Sequence, residues 1–225
     1  MPGTLALLHT SHVLIPLFSD LCKRIVPRVQ VFHMVDESLI KNTIEAGFLT
    51  KDTVRRMLAL IQSAHDGGAS AVMVTCSSIG PGVRVAQEVF DFPVLRVDDA
   101  MAEEAVRRGT SIGVLATLRT TLEPTVSLLQ ETAAAQSRDI KIIPRLCDGA
   151  FDAVISGDNE THDDIVSAEL ARLMEEVEVV VLAQASMARI VECIPPEARM
   201  IPILSSPELA VRRAWEILSA SGQAA

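Results

Sequence analysis

The stretch Ala71-Val72-Met73-Val74-Thr75-Cys76-Ser77-Ser78-Ile79-Gly80-Pro81 decides how this chain is read. A short unbroken apolar run is the mark of a strand buried on both faces, as in a parallel sheet covered by helices. The run stops at a thiol, two hydroxyls and Gly-Pro, a turn that opens a helix. Cys76 is therefore placed at the carboxyl end of a strand, beside backbone N–H groups at a helix start. Such groups attract negative charge, so the turn is expected to favour the thiolate, the reactive form of cysteine.

The same pattern returns 108 positions later as Val179-Val180-Val181-Leu182-Ala183-Gln184-Ala185-Ser186, with an amide, Gln184, in place of the thiol. Other segments repeat in the same order. Leu5-Ala6-Leu7-Leu8-His9-Thr10 parallels Ile112-Gly113-Val114-Leu115-Ala116-Thr117, Asp36 parallels Asp148, and Val97-Asp98-Asp99 parallels Leu204-Ser205-Ser206. Four matches at nearly constant offset indicate a four-stranded α/β unit written twice.

Composition agrees. Of 225 residues 49% are hydrophobic but only 3% aromatic, with no Tyr and one Trp. A core built from Ala, Val, Ile and Leu suits sheets with helices on both faces. The net charge of −9, without a basic block, disfavours nucleic acid and anionic membrane as partners. The four cysteines, Cys22, Cys76, Cys147 and Cys193, form no C-x-x-C and no Cys/His cluster, which argues against disulfides and a metal site. With no leader-like start and no long apolar segment, the expected setting is cytoplasmic.

Strands are expected at 4–9, 29–34, 71–75, 94–97, 111–116, 140–145, 179–183 and 200–204, with amphipathic helices between them. The predicted fold is α/β: two pseudo-symmetric domains, each a four-stranded, mainly parallel sheet flanked by helices, with an active-site cleft between them. The first would comprise 1–97 plus 207–225 and the second 98–206. Open sheets bind ligands at the carboxyl ends of their strands, which singles out Thr10, Cys76, Thr117 and Gln184.

On Val72–Ser78, Ile112–Thr117 and Val180–Ala188 the chain resembles the aspartate/glutamate/hydantoin racemase superfamily. The last segment follows that family's pattern of Leu, small residue, Cys, Ala, Gly, Met, Ala with two departures: Gln184 replaces the cysteine and Ser186 the glycine. The resemblance implies an enzyme without metal or organic cofactor, a small carboxylate as substrate, and a homo-oligomer. It also implies proton transfer at the carbon next to the carboxylate, one thiolate removing the proton and an opposed thiol returning one.

The residues then take roles. Cys76 is the expected base or proton donor. Ser77 and Ser78 are carboxylate ligands or, alternatively, plain helix caps. Thr10, Thr117, Thr120, Thr121, Ala185 and Ser186 are further donors by pseudo-symmetry, and Arg119 is a clamp for a carboxylate or else a solvated surface residue. Gln184 can orient a substrate but is no proton-transfer base near neutral pH. His9 and His12 flank Thr10 as auxiliary acid/base candidates, against a structural or exposed role. Cys147 and Cys193 read better as small buried hydrophobes, and His33, His65, His162, Asp36 and Asp148 as exposed groups or caps.

Losing the second thiol leaves three expectations. One is an isomerase or racemase-type enzyme working with Cys76 alone. Another is a lyase, in particular a decarboxylase of a malonate-type acid. A single-cysteine aryl-malonate decarboxylase of the superfamily carries its thiol at the position of Gln184, so the proton here would arrive on the opposite face. The third is a small-carboxylate binding protein without turnover.

Overall fold

The computed structural model describes residues 3–195 and 199–220. The chain divides into two compact units, Met1–Asp99 with Pro207–Ala225, and Ala100–Ser206. Each is an α/β unit around one four-stranded sheet, as the sequence predicts.

In the first unit the strands are β1 (Thr4–His9), β2 (Gln30–Val35), β3 (Ala71–Val74) and β4 (Val94–Arg96). All neighbours are parallel, in the order β2-β1-β3-β4. The helices are α1 (Ile15–Ile25), α2 (Glu37–Ala46), α3 (Lys51–Asp66), α4 (Pro81–Val89) and α10 (Ser206–Ala220), which returns from the second unit, while α5 (Asp99–Arg108) opens that second unit. The central strands β1 and β3 are buried almost throughout, while the edge strand β2 is half-exposed. That contrast explains why β1 and β3 read as continuous apolar runs and β2 as a mixed one. On one face Ala6, Leu8, Val72 and Val74 pack with Leu39, Met57, Ile61 and Val83 from α2, α3 and α4. Asp36 caps α2 by accepting from Ser38 N–H at 3.0 Å, and Thr50 caps α3.

The second unit repeats the plan with β5 (Ser111–Ala116), β6 (Lys141–Leu146), β7 (Val179–Leu182) and β8 (Ile203–Ser205), all parallel in the order β6-β5-β7-β8. Its helices are α6 (Arg119–Ala135), α7 (Ala150–Ile155), α8 (Asn159–Met174) and α9 (Ala188–Cys193). Val180, Leu182 and Leu115 pack against Val166, Leu170 and Leu173 of α8. Leu173 comes so close to β5 that a β-carbon on Gly113 would lie 2.6 Å from it. Glycine stands there for room.

Several boundaries differ from expectation. β8 starts at Ile203, not Met200, since Pro202 has no N–H to give a ladder. The ladders also refine the internal repeat: Val74 pairs with Arg96 and Leu182 with Ser205, so Arg96 corresponds to Ser205 and the last match slips by two. His9 pairs with Val35 and Ala116 with Leu146, so Asp36 corresponds to Cys147, and Gly149, not Asp148, is the N-cap of α7. His162 is buried on α8, its Nδ1 2.7 Å from Asp163, where an exposed residue was expected. The side chain of Cys193 lies outside the described residues, as do the chain ends assigned to the first domain, 1–2 and 221–225. Among the described residues no helix is long and apolar enough to cross a membrane.

Candidate active site

The strand order fixes where ligands can meet the first unit. After β1 the chain departs toward β2 on one side, and after β3 toward β4 on the other. The carboxyl ends of β1 and β3 are thus the point where the connections part, and a crevice opens in open α/β sheets at such a point. Thr10 follows β1 and Cys76 follows β3. The ladder runs up to the site, with Thr75 N–H donating to Leu8 carbonyl at 3.0 Å.

Cys76 has extended backbone (φ −124°, ψ 116°), and Ser77–Ile79 form a 3₁₀ turn leading into α4. This bend points the N–H groups of Ser78 and Ile79 at the sulfur. Burial pushes the Cys76 thiol above its ordinary pKa, and four contacts pull it back: the Thr10 hydroxyl, the Ile79 and Ser78 N–H groups, and the Ser78 hydroxyl. Burial wins. The turn's N–H groups favour the thiolate, as expected, but burial outweighs them, and the sulfur sits in a cage of donors able to receive negative charge. Ser77 and Ser78 are both buried in the turn rather than set out in solvent as caps.

Cys22 and Cys147 have no such cage. Burial raises Cys22 to about 11. Burial, helped by Glu169 and Asp148, raises Cys147 to about 12. Both are packed in the core, which fits the reading as small hydrophobes.

Beneath the turn lies a feature that motif reading missed. Arg96 and Asp98 are both buried and form a two-pronged ion pair, Nε to Oδ1 at 2.7 Å and Nη2 to Oδ2 at 3.1 Å. The available signal was a charged residue inside an apolar strand run with an opposite charge two positions on, hence on the same face.

Of the two readings left open for His9, auxiliary acid/base or structural residue, its surroundings fit the structural one. It is fully buried, with Nδ1 2.7 Å from Thr75 Oγ1 and Nε2 2.9 Å from His33 Nδ1, and His33 Nε2 lies 2.9 Å from Ser19 Oγ. Burial, with the charge of His33 adding to it, lowers His9 to about 4, and burial also lowers His33. Because the Thr75 hydroxyl donates to Leu8 carbonyl, one consistent set of neutral tautomers runs through the chain. Ser19 donates to His33, His33 to His9, and His9 to Thr75. His12 is exposed and pairs with Glu37 at 2.8 Å.

In the second unit, Thr117 and Gln184 hold the equivalent strand ends. The Gln184 side-chain carbonyl accepts from Thr117 N–H at 2.6 Å and from the Thr117 hydroxyl at 3.0 Å, and its NH₂ lies 2.8 Å from Thr117 Oγ1. Both ends of the amide are folded back on one residue. Gln184 is followed by a 3₁₀ turn, Ala185–Met187, so the backbone repeats the Cys76 turn. Ala185 is buried and Ser186 exposed. Arg119 is exposed and lies in the first turn of α6, not in a loop. Thr120 and Thr121 are buried in that same turn, and the Thr120 hydroxyl has no partner among the described residues. No group of three or more His, Cys, Asp or Glu among the described residues is arranged to hold a metal ion.

This duplicated scaffold, with a caged thiol at one strand end, has known counterparts. The family model for Asp/Glu/Hydantoin racemase matches residues 9–214. The chain belongs to the Asp/Glu/hydantoin racemase family. Among solved structures it is similar to glutamate racemase isoform RacE1 from Bacillus anthracis, with TM-score 0.73 and 18% identity over 99% of this chain and 84% of that one. It is similar to glutamate racemase from Francisella tularensis in complex with D-glutamate, with TM-score 0.77 and 13% identity over 98% and 82%. Allantoin racemase from Klebsiella pneumoniae gives TM-score 0.73 and 16% identity over 99% and 89%. No curated protein matches the sequence. At these identities the solved structures establish the fold, and family membership supports a racemase or isomerase type of function.

Proposed function

We propose that this family member is a cofactor-independent enzyme that transfers a proton at the carbon next to a carboxylate of a small organic or amino acid, with Cys76 as its single thiol. The observation that carries the reading is the difference between the two strand ends: a thiol caged by two hydroxyls and two N–H groups at one, an amide bound to its own neighbour at the other. Carbon acids next to a carboxylate are very weak, so the enediolate-like charge has to be met by preorganised donors. Ser77, Ser78 and Thr10 in the first unit supply such donors. In the second they are Thr117, Thr120, Thr121, Ala185 and Ser186, and the buried Thr120 hydroxyl suits a carboxylate oxygen. Arg119 adds a cation.

The resting thiol favours a second reading on the same site. A neutral Cys76 is ready to give a proton to a carbanion left by loss of carbon dioxide from a malonate-type acid. One experiment covers both. Candidate acids are incubated with the protein in deuterated water, followed by NMR for label at the α-carbon and by carbon dioxide release. Label without carbon dioxide is expected from isomerisation, and both together from decarboxylation. A Cys76→Ser variant with unchanged turnover overturns both readings. Tight binding of an acid without either signal, and surviving Cys76→Ala, leaves a binding protein.

A further inference from the structure

Gly80 ends the turn that holds Cys76. Its backbone (φ −50°, ψ −40°) is ordinary right-handed helix, which any residue adopts, so glycine is not there for conformational freedom. It is there for room: a β-carbon on Gly80 would lie 2.4 Å from Arg96 Nε, 2.8 Å from Cζ and 3.0 Å from the Ser77 carbonyl oxygen. The guanidinium is thus pressed against the backbone of the turn. It is held there by Asp98, and Arg96 itself is anchored in β4 opposite Val74, two residues before the thiol.

The second unit supplies an internal control. The position of Cys76 is Gln184, that of Gly80 is Ala188, and that of Arg96 is Ser205 by strand register. Ala188 has nearly the same backbone (φ −56°, ψ −35°) and carries a methyl group where Gly80 has none, and the strand position of Arg96 there holds the short Ser205. Where the thiol is absent, the glycine and the arginine are absent from the matching positions too.

We propose that Arg96 is a positioning residue for Cys76: clamped by Asp98 and packed against Gly80, it fixes the Ser77–Ile79 turn so that the Ser78 and Ile79 N–H groups stay aimed at sulfur. Buried ion pairs are costly to desolvate and seldom chosen for stability alone, so a buried Arg–Asp pair in this place calls for a role of this kind. The guanidinium does what a flexible chain cannot. It is planar, rigid and permanently charged, and it fits beneath the turn at Gly80, the position without a side chain.

The inference rests on Cys76 being the working thiol, yet it can be tested without a substrate. The rate of Cys76 alkylation by iodoacetamide is followed from pH 6 to 11 by peptide mass mapping, with folding checked by circular dichroism and Tm. Arg96→Lys keeps the charge and loses the plane. Gly80→Ala keeps both Arg96 and Asp98 and drives the turn and the guanidinium apart from the other side, so it reports even if Arg96→Lys fails to fold. Each is expected to move the alkylation midpoint of Cys76 upward by about one pH unit, the size of losing one hydrogen bond to a charged sulfur. The double variant is expected to shift no further than the larger single one, because both act on one contact. A lowered Tm with an unchanged alkylation profile, or shifts that simply add, overturns the proposal. If the wild type exchanges no α-proton but the profiles still shift, the proposed reaction fails and the positioning role stands.

Discussion

The two halves of this chain differ most where they are built most alike. Both carry a parallel sheet with the same strand order, an extended residue at the end of the third strand and a 3₁₀ turn after it. In the first half that residue is a thiol surrounded by donors from Thr10, Ser78 and Ile79. In the second it is an amide whose donor and acceptor are both taken by Thr117. Thr10 and Thr117 are equivalent residues doing opposite things: one faces a group that can change its charge, the other satisfies a group that cannot. A shared backbone therefore fixes where chemistry can occur, while a handful of side chains decides whether it does.

Substitution at the two strand ends should give the largest contrast. Cys76→Ala is expected to lower α-carbon exchange by at least about 100-fold, in the range for losing a proton-transfer group. Gln184→Ala is expected to change it less than tenfold, as read by deuterium incorporation. Comparable losses from both would end the asymmetry argued above. Next comes Gln184→Cys, which frees Thr117 to serve a thiol as Thr10 serves Cys76. Racemisation of an acid that the wild type exchanges should appear or rise, measured by chiral chromatography of both enantiomers.

Smaller effects test the packing of the halves. Ala6 in β1 and Gly113 in β5 are equivalent, but where Ala6 carries a methyl group Leu173 leaves no room for one at Gly113. Gly113→Ala is expected to cost about 1–3 kcal/mol in urea unfolding through overpacking against Leu173, and a Leu173→Ala background should shrink that cost. The smallest effect is an acid sensitivity of the first unit, where His9 is buried and His33 half-buried and both have lowered pKa values; the equivalent of His9 in β5 is Ala116. Lowered histidine pKa values mean that the unfolded chain binds more protons. Stability present above pH 6.5 is therefore lost as pH falls from 6.5 toward about 4. Hydrogen exchange should show β1 and β2 losing protection before β5 and β6 over that range. His33→Gln should reduce the fall.

Much of this was legible from residue order. The apolar runs Leu5–Leu8, Ala71–Val74 and Val179–Leu182 announce central strands because strands buried on both faces have no polar side to show. Cys76, Thr10, Thr117 and Gln184 followed from the repeat, because ligand positions in open sheets depend on strand ends. The environment of those residues was not legible. His9 sits in the same apolar run as Leu8, and only packing shows that its ring turns inward to His33 rather than out beside Thr10. That burial outweighs the donors around Cys76 was also hidden, because desolvation has no local code and the Thr10 hydroxyl comes from another strand end.

The sequence by itself determined a duplicated α/β plan and one thiol where the plan allows two, since periodicity and strand ends are local properties. Tertiary structure alone decided the burial that opposes charge on that thiol, the capture of Gln184 by Thr117 across 67 positions, and the wedge of Arg96 beneath Gly80. Each depends on which distant groups share a few ångströms of buried space, and desolvation and hydrogen bonding act at that range, not along the chain.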